Sequence, residues 1–122
     1  MVTVGGHRLL TDPGERPEAG VPADVLFVFP DREEKYYKSL LPRVQPKIII
    51  PNHWDDFFRP LTKPLRPHIK LPRFALPPIQ RVNLTEFSRM VQHIAPGTQV
   101  LTPDIFQICD LTEYVRHSTN KV

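Results

Sequence analysis

Asp24-Val-Leu-Phe-Val-Phe29, Tyr36-Tyr-Lys-Ser-Leu-Leu-Pro42 and Lys47-Ile-Ile-Ile-Pro51 follow one another in quick succession, and their order decides the fold. The first and last are apolar runs without polar alternation, which suits strands covered on both faces in a parallel sheet. Between them Tyr36, Tyr37, Leu40 and Leu41 recur at helical spacing and present one apolar side. Asp31 stands where a helix cap belongs and Glu34 completes a capping-box pattern, while Pro42 to Pro46 is expected to end the helix. Strand, helix and strand in this order form a βαβ unit, so the expected class is α/β, a mixed sheet with flanking helices.

Upstream, Val2 to Val4 and Arg8 to Thr11 flank Gly5-Gly6, a dipeptide that tight hairpin turns accept because both residues tolerate positive φ. Asp12-Pro-Gly14 predicts a turn, and Glu15 to Pro22 an exposed loop. Downstream, Asn83 can cap a helix running to His93, with Glu86 as the reciprocal acid and Leu84, Phe87, Val91 and Ile94 on its apolar side. Pro96-Gly97 stops that helix, and Thr98 to Thr102 reads as a last short strand.

The 122 residues fit one domain, 1–122, of soluble composition, with 40% apolar and 24% charged residues. The longest uncharged apolar run, Val25 to Pro30, is far below the roughly 20 residues a membrane helix needs. No secretory pattern opens the chain, so a cytoplasmic location is expected. A single cysteine, Cys109, excludes an internal disulfide framework and reads as a small apolar residue beside Ile108 and Leu111. The net charge of +3 is concentrated: from Asp56 to Glu86 there is no acid, while Arg59, Lys63, Arg66, Lys70, Arg73 and Arg81 supply cations. The same segment, 59–82, is proline-rich and is expected to run extended across a surface. A solvated basic loop accounts for it, and a nucleic-acid partner is not expected.

Chemistry concentrates in Pro51-Asn-His-Trp-Asp-Asp-Phe-Phe58. His53 lies just beyond the end of a predicted strand, at the end of the sheet where α/β proteins bind ligands. Asp55 or Asp56 can hydrogen-bond its second ring nitrogen and fix the tautomer, as acids do behind metal-bound histidines; a structural corner is the alternative. Trp54, Phe57 and Phe58 read as core residues. Asp12 also follows a strand end, where it serves either as a ligand or as an ordinary turn residue. His7, His68, His93 and His117 fall in no metal-binding pattern and read as surface residues. There is no glycine-rich phosphate loop and no G-x-S-x-G elbow.

Over Ala23 to Leu61 the chain resembles the carboxyl-terminal half of metallo-β-lactamase-fold hydrolases, in the branch of UlaG-like lactonases. The resemblance rests on Ala23-Asp-Val-Leu-Phe-Val-Phe29, on the following helix, and on Pro46-Lys-Ile-Ile-Ile-Pro-Asn-His-Trp-Asp-Asp-Phe-Phe-Arg-Pro-Leu61. It implies half of an αββα sandwich, with His53 as a metal ligand and, through Val4 to Gly14, Asp12 as a second one. It also implies zinc, or manganese, as cofactor. The family's H-x-H-x-D-H motif has no counterpart here, so the ligand set cannot close within this sequence. The expected protein is therefore a truncated, split or degenerated hydrolase, inactive alone, or a non-catalytic interaction or regulatory module on the same scaffold. Its partners would be a second copy or a complementary N-terminal half, because the sheet face carrying Val25, Phe27, Ile48 and Ile50 lacks an opposing layer.

Overall fold

Gly5 and Gly6 adopt φ of 56° and 80°, and on this turn β1 (Val2–Val4) folds back antiparallel onto β2 (His7–Thr11), with Val4 opposite His7. The structure, a computed structural model, describes residues 1–56, 58–67, 69 and 81–119. After β2 the chain passes a short 3-10 turn at Pro17–Ala19 and enters β3 (Val25–Val28), parallel to β2. Helix α1 (Glu34–Val44) crosses to β4 (Ile48–Pro51), and α2 (Leu84–Ile94) leads to β5 (Gln99–Val100). The sheet is mixed, in the order β1-β2-β3-β4-β5, and only β1 runs antiparallel.

Register assigns the faces. Leu10, Leu26 and Ile49 lie side by side across the strands, so they share one face, as do Leu9, Val25 and Ile48 on the other. On the first face Leu10, Leu26, Val28 and Ile49 pack with Tyr37, Leu40, Leu41 and Val44 of α1 and with Phe87 and Val91 of α2. Two crossovers stepping the same way along a sheet place their helices on one side. On the second face α3 (Leu111–Thr119) brings Val115 against Val25 and Ile48, while Phe27 and Ile50 stay only partly buried. The face without an evident cover in the sequence is thus partly closed by a helix. Its signals are the Leu111, Tyr114, Val115 spacing and Asp110, whose carboxylate accepts the Thr112 N–H.

The ends of α1 differ from expectation. The cap position falls on Glu33, without a side-chain cap bond, rather than on Asp31. The Arg32 N–H bonds the Tyr37 hydroxyl instead (3.0 Å). At the other end the helix runs through Pro42 to Val44 and closes with Gln45 in the left-handed region. Pro42 removes only the bond to the Lys38 carbonyl, on a side where both residues are exposed to water. The Asn83 cap forms as expected, its side chain accepting from the Glu86 N–H.

In the basic segment, Asp55 bridges Pro67 and Ile69 bridges Arg81, both antiparallel. Of the segment 59–82 expected to run extended, the described beginning makes turns, the Arg59 N–H bonding the Asp56 carbonyl and the Lys63 N–H the Pro60 carbonyl, both at 3.0 Å; residues 70–80 lie outside the described residues, as do the readings of Phe57 and His68. No helix among the described residues is long and apolar enough to cross a membrane.

One glycine is dictated by packing. A Cβ on Gly20 would stand 2.7 Å from Leu40 Cδ1 and 3.1 Å from Val44 Cγ2, both in the core. Gly20→Ala should therefore lower unfolding free energy by about 1–3 kcal/mol in a denaturant titration, the usual cost of overpacking.

Candidate functional site

Three parallel strands end along one edge of the sheet, and each delivers a polar residue there. Asp12 follows β2, Arg32 lies four residues beyond the end of β3, and His53 lies two beyond β4. Because β3 separates β2 from β4, the residues at those two strand ends start about 9.5 Å apart.

Asp12 is the most connected of them. Its Oδ1 accepts the Gly14 N–H at 2.8 Å, closing the turn that Asp-Pro-Gly predicts, with Gly14 at φ 70°. Its Oδ2 accepts the Phe29 N–H at 3.0 Å, across from β3. Arg32 Nη2 lies 3.3 Å from Oδ1 and 3.5 Å from Oδ2, and the Tyr36 hydroxyl lies 3.4 Å from Oδ1. One carboxylate thereby ties β2, the exit of β3 and α1.

Arg32 is fixed from several sides. Its Nη1 meets Glu15 at 3.0 Å, its guanidinium lies 4.6 Å from the centre of the Tyr36 ring, and its side chain is 17% exposed. Its Nε is buried without a hydrogen-bond partner. Tyr36 donates to the Gly14 carbonyl and Tyr37 to the Phe29 carbonyl, at 2.8 and 2.7 Å. Burial, with the Asp12 carboxylate beside it, pushes the Tyr36 hydroxyl up to about 12, and burial raises Tyr37 as well. Two clefts flank Arg32. One, about 760 Å³, is lined by Glu15, Phe29, Glu33, Lys35 and Tyr36; the other, about 240 Å³, lies between the starts of α1 and α2.

His53 is exposed, with φ 53°. Beside it the Asn52 N–H bonds the Val28 carbonyl at 3.0 Å, and Asn52 Oδ1 is buried without a partner. Asp55 forms the backbone bridge to Pro67, and the Asp56 carboxylate is held by Arg66 and by the Phe58 N–H. The Arg66 guanidinium, followed by that N–H, keeps the Asp56 carboxyl below its usual range. Phe58 is 97% exposed, which corrects its reading as a core residue; the tight Asp56 turn directs it outward. Trp54 is partly buried.

Arginines of the basic segment brace it: Arg59 Nε bonds the Pro64 carbonyl and Arg81 Nη1 the Pro67 carbonyl, at 2.6 and 2.8 Å. With the Arg66–Asp56 pair, these bonds give Arg59, Arg66 and Arg81 a structural role. His7, read as a surface residue, is partly buried, 3.4 Å from the Thr112 hydroxyl of α3.

Among the described residues no three His, Cys, Asp or Glu side chains gather as a metal-binding group. Among the described residues Asp12 already has a guanidinium against it. Comparison with protein-family models, curated proteins and solved structures finds no match. Sequence reading missed Arg32, because Asp31 to Glu34 also satisfies a capping pattern; its place just past a buried strand was the available signal.

A raised tyrosine contributes stability that is complete below its unfolded value, about pH 10, and is lost as pH climbs through its folded value. Alkaline titration should therefore give tyrosinate absorbance that rises together with loss of helical circular dichroism, from about pH 10 upward. Tyrosine ionisation that finishes before any unfolding would contradict the geometry around Tyr36 and Tyr37.

Proposed function

We propose that this chain is the carboxyl-terminal portion of a metallo-β-lactamase-type hydrolase scaffold, inactive by itself, that offers His53 to a metal centre completed by a complementary polypeptide. The observation that carries this reading is the position of His53. It projects exposed from the carboxyl edge of a parallel sheet, in a left-handed conformation that turns the chain directly after β4. Non-glycine residues adopt that conformation rarely, and they do so disproportionately at functional sites. The partly covered residues Phe27 and Ile50 on the α3 side supply apolar surface for a complementary layer. Zinc or manganese would be the metal, held by His53 together with ligands that the complementary polypeptide brings.

A second reading has its own observation. Asp12, the other ligand implied by the resemblance, is engaged by Arg32 and by two backbone N–H groups. This favours a non-catalytic interaction module that has kept the scaffold and lost the chemistry.

Metal content measured on untagged protein purified without chelator separates the two. The chain alone should carry no stoichiometric zinc or manganese and should hydrolyse no lactone or ester probe. Mixed with a polypeptide bearing the H-x-H-x-D-H half, it should form a complex with at least one metal ion, lost in His53→Ala while the complex persists. A complex whose metal survives His53→Ala, or the absence of any complex, would refute the hydrolase reading in favour of the module.

A further inference from the structure

A carboxylate presents about four lone-pair positions. At Asp12 these face the Gly14 N–H, the Phe29 N–H and Arg32 Nη2, which lies within 3.5 Å of both oxygens, with the Tyr36 hydroxyl adjacent. The Tyr36 proton itself points to the Gly14 carbonyl, so the hydroxyl does not compete strongly for Asp12. A divalent cation bound to this carboxylate would have to share space with a guanidinium that never loses its charge. Displacing Arg32 is hindered, since its side chain is mostly buried over the Tyr36 ring and its own N–H is held by Tyr37.

We propose that Arg32 is the resident cation of this edge. Its guanidinium takes the place that a metal ion would take at Asp12, and Asp12 couples β2, β3 and α1 instead of ligating metal. The arrangement has the components of a ligand site, with a carboxylate, a positive charge and orienting N–H donors, all supplied by one chain, although Arg32 Nε stays buried without a partner. The assignment concerns Asp12 alone and holds whether or not His53 binds metal in a complex, so the two proposals fail separately.

The test combines a double-mutant cycle with metal titration on the full chain. Asp12→Asn and Arg32→Met should each lower the melting temperature by roughly 5–10 °C, and the double variant by clearly less than their sum. Zinc and manganese, titrated separately by calorimetry, should give no binding isotherm in wild type that Asp12→Asn removes. Additive losses of melting temperature, or a zinc isotherm present in wild type and abolished in Asp12→Asn, would overturn the proposal. Should either variant fail to fold, the Asp12 carboxyl carbon resonance of the wild type, followed during a zinc titration, decides the question. An unmoved resonance supports Arg32 as the cation, and a saturable shift overturns it.

Discussion

The carboxylate of Asp12 is the constraint on which the carboxyl edge of this sheet depends. β2 and β3 are joined by a loop with only one short 3-10 turn, so nothing like the crossover helix of β3–α1–β4 fastens their ends. Asp12 does that work: it closes its own turn, reaches across to the Phe29 N–H, and receives Arg32 from the entry to α1. Hydrogen bonds to an ionised acceptor are stronger than neutral ones, and this one is partly withdrawn from water. The start of α1 meets it as well, through Arg32, one residue before the Glu33 cap.

Around that edge the sheet divides its two faces unequally. One is sealed by α1 and α2, whose buried side chains include Tyr37, Leu40 and Val91 without exposed surface. The other is covered by the nine-residue α3, which protects Val25 and Ile48 more fully than Phe27 and Ile50. Exposed Phe58, Phe106 and Ile108 add apolar surface in the loops that follow β4 and β5. Buried packing is therefore concentrated on the α1–α2 side, and partly covered apolar surface on the opposite one. The carboxyl edge is divided as well, with His53 exposed and the Asp12 carboxylate turned inward onto the Phe29 N–H.

Much of the framework was legible because local and long-range signals agree. Gly5-Gly6 accepts a tight turn, the apolar runs at Val25 and Ile48 lack polar alternation, and Asn83 caps α2 as its position demands. Other features depend on contacts between distant residues. The Asp31 capping pattern loses to the bonds that Arg32 makes with Tyr37 and Asp12, which no spacing rule encodes. Pro42 looks like a stop, yet the helix continues because the lost bond faces water. Helix α3 is short, and its apolar residues gain meaning only when Val25 and Ile48 are known to lie opposite. At the site, the strand-end positions of Asp12 and His53 were readable from pattern, whereas the partner of Asp12 was not, since Arg32 is brought to it only by the pairing of β2 with β3.

Amide hydrogen exchange at Phe29, followed by nuclear magnetic resonance in the unmodified chain, tests most directly whether Asp12 holds this edge together. Phe29 lies beyond the last paired residue of β3, and its N–H points to the Asp12 carboxylate. If that carboxylate is the strut described, the Phe29 amide exchanges as slowly as Leu26 and Val28 within the strand. Exchange at the rate of an open loop would contradict the account and leave the carboxyl edge held by the strands alone.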